Sequence, residues 1–248
     1  MKKKNLLSLP FIFAMGIGLF SCSMGNSSGN TSTYQNTPAV VVNSGIITSG
    51  TAVGTPYGYL STPSLTDVSV GDCIVLYQFT IDFDHQPSNQ YFTATNIDKD
   101  FISQSPIQKG DTTDIGDYTL PITNATSLVN DPSNAYYQGK IFMGISCKDK
   151  NPNLRLIYNK DYPETIYLQA KTLVPNTSDI GTVYAFDMAP LMTSSRDTTI
   201  TVSGGTASGV KLKYVAVNLK FLSKLNDDGT PVYSTASNPL YIYAFNAQ

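Results

Sequence analysis

Residues 68–83, VSVGDCIVLYQFTIDF, alternate with a period of two: Cys73, Val75, Tyr77, Phe79, Ile81 and Phe83 fall on one face, opposite Ile74, Leu76, Gln78, Thr80 and Asp82. That period is a β-strand signal, and the aromatic-rich face is expected to be buried. Further strands are expected at 91–97, 118–122, 140–147, 154–158, 165–172, 182–186, 199–202, 210–221 and 240–245. NPN, NKDYP, PNTSDIG, SGGTASG and NDDG separate them, and their Gly, Pro, Asn and Asp suit tight turns. No helical period of useful length survives, and Pro190 limits FDMAPLM to a turn of helix. The expected fold is all-β. Turn-forming residues around NATSLVNDP, 123–132, mark a boundary between a small OB-like barrel, 39–125, and an immunoglobulin-like β-sandwich, 133–248. A single larger sandwich is the alternative, and 39–59 either adds a first strand or runs as an extended lead.

The chain begins MKKKN and continues LLSLPFIFAMGIGLF, a basic start followed by an uncharged apolar run, which is the layout of an export signal. The run is short of the ~20 residues of a spanning helix and contains Pro10, Gly16 and Gly18. Its end, Leu19-Phe20-Ser21-Cys22, resembles the lipobox of bacterial lipoproteins, with Phe20 bulkier than the usual occupant. That resemblance implies cleavage of 1–21 and a lipid on Cys22 that attaches the chain to a membrane. Residues 22–38 are polar and uncharged, so they are expected to form a flexible tether. No acidic run follows Cys22, which favours a periplasm-facing outer-membrane anchor over the cell surface.

Of 16 basic side chains, the signal removes Lys2, Lys3 and Lys4, leaving 13 against 18 acidic ones and a net charge of about −5. A surface of that sign without a Lys/Arg block excludes nucleic acid as a partner.

Residues able to do chemistry are sparse. The single histidine, His85, sits near Asp82 and Asp84; these three could ligate a metal, but the polar turn before Pro87 is the preferred reading, and one histidine excludes a multi-histidine zinc site within one chain. No GxSxG surrounds a serine. Glu164 is the only glutamate, and most aspartates lie in turns, so an aspartate-based hydrolase ranks third among the functions considered. Asp227-Asp228-Gly229 is expected to be a hairpin turn rather than a calcium loop. Cys73 and Cys147 form a disulfide or are buried as free thiols; neither has a CxxC partner, and neither is read as a nucleophile. No cofactor or metal is expected.

Tyrosine is abundant, with 16, and tryptophan is absent. AYYQGK, RLIYNKDYPETIYLQ and PLYIYAF concentrate it. Alternation places Tyr241 and Tyr243 on one face, either as a ligand surface or, with the larger share, as core. An exposed tyrosine strip flanked by Asn and Asp would mark a binding role. The segment PLYIYAFNAQ also has the character of a strand exchanged between subunits, although an ordinary closing strand is preferred.

The lipobox, VSVGDCIVLYQF, GKIFMGISCKDKNPNLRLIYN and YAFDMAPLM followed by a closing hairpin region are together similar to the NigD-like lipoproteins of Bacteroidales. The resemblance implies an N-terminal OB-type barrel, a C-terminal β-sandwich and no assigned biochemical role. The function expected is a lipid-anchored, non-enzymatic envelope protein that binds a protein or glycan. The rival is an adhesin or fimbrial subunit assembled by strand exchange.

Overall fold

The computed structural model describes residues 30–86, 90–159, 161–200 and 210–245. The signal segment and Cys22 lie outside the described residues. Five strands, β1 (Thr31–Val41), β2 (Thr51–Thr55), β3 (Gly58–Thr62), β4 (Cys73–Asp82) and β5 (Phe92–Phe101), close into a barrel in the order β1-β2-β3-β5-β4. Only the β3–β5 pairing is parallel. Val53, Leu60, Ile74, Leu76 and Phe79 fill the interior and are buried. Thr31 pairs with Asp82, so 31–38, expected as tether, are barrel strand. Their polar composition hides this because only Tyr34 turns a large ring inward.

The strict alternation expected for β4 breaks at Tyr77, which is 40% exposed. Ile74 and Leu76 point into the barrel before it, and Phe79 and Ile81 after it. The β4–β5 register shifts on either side of Gln78. Neighbouring strands change parity nearby, each with an asparagine in the left-handed region: Asn36 at φ 50° and Asn96 at φ 53°. Asparagine tolerates that conformation better than most residues, and such irregularities bend strands enough to close a small barrel. Before the kink, Cys73 and Val75 therefore face away from the barrel interior, into a second cluster.

The remaining strands form one larger sheet. They are β6 (Gln104–Lys109), β7 (Ile122–Ser127), β8 (Lys140–Asp149), β9 (Asn153–Asn159), β10 (Tyr162–Lys171), β11 (Pro175–Asp187), β12 (Arg196–Ile200), β13 (Val210–Leu225), β14 (Pro231–Thr235) and β15 (Leu240–Phe245). The order is β12-β13-β10-β9-β6-β11-β8-β7, with β14 and β15 also on β13. The sheet is barrel-like and nearly closed around Ile122, Met143, Leu156, Leu168, Phe186 and Leu219. A short helix, α1 (Ala189–Met192), lies where FDMAPLM allows one turn, and Leu191 joins the core. The change of sheet falls between Phe101 and Gln104, ahead of the expected boundary at 123–132. Pro106 inside β6 disguises that strand, and turn-rich 110–121 belongs to the second body.

The two bodies share a core. A 3-10 turn, Pro132–Tyr137, starts where Asp131 caps it by accepting from the Ser133 N–H at 2.7 Å, with Pro132 in the first position. Tyr137, fully buried, donates from its hydroxyl to the Pro38 carbonyl at 3.1 Å and packs its ring against Phe142 at 4.8 Å. Val40, Cys73, Ile102 and Ala185 complete this junction. Gly54 lets it close, because a Cβ there would sit 1.9 Å from the Tyr136 carbonyl oxygen.

Candidate functional site

β13 is the spine of the candidate site. Tyr214 pairs with Tyr243 and Ala216 with Tyr241 across to β15, so these side chains share a face. On the opposite face Leu240 and Ile242 are 3% and 0% exposed. Alternation thus makes Tyr241 and Tyr243 the outer pair, half-buried, rather than the core pair that carried the larger share in the sequence. The Tyr214 and Tyr243 ring centroids are 5.9 Å apart at 27°, and those of Tyr241 and Tyr243 are 6.3 Å apart at 23°. Phe245 extends the row to Tyr136 at 5.1 Å, and Tyr136 meets Tyr59 of the barrel at 5.0 Å. Six half-buried aromatic residues therefore run as one stripe across the junction. Burial holds the Tyr243 phenol above its ordinary range, reinforced by Tyr241, Tyr214 and Asp131; burial likewise raises Tyr59 and Tyr136.

Two asparagines fix the backbone beneath the rings. Asn130 donates from Nδ2 to the Pro239 carbonyl at 2.9 Å and accepts from the Tyr241 N–H at 2.6 Å. Asn134 donates to the Tyr241 carbonyl at 2.7 Å and accepts from the Tyr243 N–H at 2.8 Å. Their amides occupy the edge of β15 where another strand would pair. The stripe is accordingly flanked by Asn130, Asp131 and Asn134, but its tyrosines are half-buried and Asn134 is buried, so it is not the exposed strip expected of a binding role.

Beside Tyr214 the sheet has a notch. β13 pairs on one side with β15 and β14. On its other side β12 ends its pairing at Tyr214, and β10 begins its pairing at Asn218. Among the described residues, no strand is paired with 215–217 on that side, where Pro163 and Glu164 at the start of β10 stand across the opening from Val215 and Ala216. The opening has a volume of about 370 Å³ and is walled by Glu164, Ser194, Arg196 and Tyr214. No ion pair joins Glu164 or Arg196 to another described residue.

Other sequence candidates lie elsewhere. His85 is exposed, with Nδ1 2.9 Å from Asp82 Oδ2; Asp82 also accepts from the Asp84 N–H, and Asp84 from the Asn30 N–H. Both carboxylates thus organise the turn. The Asp82 hydrogen bond raises the His85 imidazole above its ordinary value, and His85 lowers Asp82. Asp228 accepts from Thr230, and Gly229 has φ 81°, which makes NDDG the β13–β14 turn. Cys73 and Cys147 are buried free thiols in different clusters. Burial pushes them up to about 12 and about 11. Among the described residues, no three His, Cys, Asp or Glu side chains converge on one point, and no helix is long and apolar enough to cross a membrane. Tyr214 and Arg196 were not singled out by the sequence, since only the β12–β13–β15 register brings them beside Tyr243.

No protein-family profile matches the chain, and no curated protein does. Solved structures share its fold. An uncharacterised protein from Parabacteroides merdae is 15% identical over 84% of this chain and 95% of its own, with a TM-score of 0.57. A putative lipoprotein from Bacteroides fragilis is 13% identical over 88% of this chain and 100% of its own, with a TM-score of 0.53. A NigD-like immunity protein from Bacteroides caccae is 9% identical over 85% of this chain and 93% of its own, with a TM-score of 0.41. The resemblance to Bacteroidales proteins, a NigD-like one among them, is one of low identity and extends over most of the chain.

Proposed function

We propose that the chain is a lipid-anchored, non-enzymatic binding protein of the cell envelope, with the aromatic stripe as its ligand surface for a protein or glycan. The stripe carries this reading. Tyr241, Tyr243 and Tyr214 stand outward in register on a backbone held by buried Asn134, and tyrosine offers both an apolar face and a hydroxyl to a ligand. The lipobox at Cys22 supports a lipid anchor, as does the name of the B. fragilis structure, a putative lipoprotein, and the lack of an acidic run after Cys22 favours the outer membrane facing the periplasm. The first barrel is assigned here to the OB type on its five strands and their order. Strand exchange is the weaker reading, because β15 is paired with β13 along its length and capped by two asparagines. No cofactor enters this function.

Two experiments test it. Radiolabelled palmitate is incorporated by the native chain and lost in Cys22→Ala; retention in that variant refutes the anchor. A photo-crosslinking residue in place of Tyr241 captures an envelope component that one in place of Tyr77, exposed on β4 of the barrel, does not. Equal capture from both positions, or none, refutes the stripe.

A further inference from the structure

We infer that the notch beside Tyr214 is a subsite for a sugar unit of a glycan, an assignment that rests on the aromatic stripe being the ligand surface. Three features select the ligand. The first is length: at roughly 3.4 Å per residue, 215–217 span about 10 Å of strand, with Ala216 exposed, Val215 half-buried and Val217 buried. That stretch is closed at one end by β12 and at the other by β10. An extended peptide adding to β13 would collide with both strands, so the occupant is compact. The second is the set of polar groups. Glu164 offers an acceptor-only carboxylate, Arg196 a donor-only guanidinium and Ser194 a hydroxyl, all on the wall of one opening. Both charged side chains are exposed and, among the described residues, without a partner of opposite charge, hence available to a ligand. A ring bearing several hydroxyls, each able to donate and accept, satisfies such a set; an apolar ligand leaves it unmatched.

The third feature is continuity. Tyr214 walls the notch and stands next in line to Tyr243 and Tyr241. A sugar seated between Glu164 and Arg196 has its neighbours in the chain directed over tyrosine rings, whose faces accept the C–H side of a pyranose. The space, about 370 Å³, is at the low end for small-molecule sites and fits one such unit with the rest of the chain outside.

The test uses the full-length lipidated protein in detergent micelles, run in native gels containing soluble glucan, mannan, xylan or polygalacturonate. At least one of these is expected to retard it. Arg196→Ala and Glu164→Gln, both at exposed positions, are each expected to weaken that retention at least tenfold with an unchanged circular dichroism spectrum. Tyr77→Ala, at an exposed position on β4 of the barrel, should leave it intact. Binding by none of the four polysaccharides, or undiminished binding by the Glu164→Gln, Arg196→Ala double variant, overturns the subsite. If glycans fail while crosslinking from position 241 still captures an envelope protein, the sugar assignment alone falls. If Tyr214→Ala and Tyr243→Ala alter neither assay, the stripe falls with it.

Discussion

Gly54→Ala probes the joint on which the stripe depends. The added Cβ would lie 1.9 Å from the Tyr136 carbonyl oxygen and 2.8 Å from its carbon. Ordinary contact begins at 3.4 Å, so β2 and the 3-10 turn must part by about 1.5 Å. Both obstructing atoms are backbone, and no rotamer change relieves them. A gap of that size forfeits more than half of the dispersion energy across the contact and breaks the hydrogen bond from Tyr137 to the Pro38 carbonyl. Overpacking costs ~1–3 kcal/mol and the lost hydrogen bond ~1 kcal/mol, so a destabilisation of about 3 kcal/mol is expected. For a chain of this size that corresponds to a melting temperature lower by roughly 6–12 °C. The assay is thermal unfolding followed by circular dichroism, with Gly45→Ala as the control. A Cβ at Gly45 meets nothing within 4 Å, so that change is expected to stay within about 1 kcal/mol of the parent. Equal melting temperatures for Gly54→Ala and Gly45→Ala would refute the close packing of barrel and turn.

Asn134→Ala removes both hydrogen bonds that this buried side chain makes to the β15 backbone and leaves the half-buried Tyr241 and Tyr243 peptide groups unpaired; urea unfolding should show a loss of about 2–3 kcal/mol, against about 1 kcal/mol for exposed Asn130→Ala. With its thiol pushed up to about 12, roughly one Cys73 in ten thousand is ionised at pH 8, so maleimide should label Cys73 and Cys147 slowly in the native protein and fast in denaturant. Rapid native labelling, or no free thiols after unfolding, would contradict this. NMR titration should place the His85 midpoint above 6.5, falling in Asp82→Asn. The sign follows from both shifts: a raised His85 stabilises below 6.5 and loses this as pH rises through its folded value, whereas a lowered Asp82 stabilises above 3.8 and loses this as pH falls through its own. The pair is therefore strongest between those two ordinary values, and its exposure keeps the effect small.

Local patterns carried much of the fold. The last strand matches its expected span, 240–245, because Leu240, Ile242 and their neighbours alternate without interruption between turns. Where alternation is broken by backbone conformation, it misleads: Asn36 and Asn96 look like ordinary polar residues, yet their positive φ marks the region in which the inward face changes, and Tyr77 emerges into solvent. β6 escaped notice because Pro106 removes a donor within a strand whose other residues are mostly polar. The candidate site was half legible. Tyr241 and Tyr243 are two apart and must share a face, but which face is buried depends on the pairing with β13, a contact between distant parts of the chain. Tyr214, Arg196 and Glu164 meet only through that pairing and the gap it leaves, and no local sequence pattern encodes a gap.

The most direct test of the stripe as the ligand surface is tyrosine nitration of the full-length protein, mapped by mass spectrometry with and without native outer-membrane extract. Tyr214, Tyr241 and Tyr243 are predicted to be protected by the extract, while Tyr77, 40% exposed on β4 of the barrel, is modified equally in both samples. Unchanged nitration of all four tyrosines would contradict binding at the stripe.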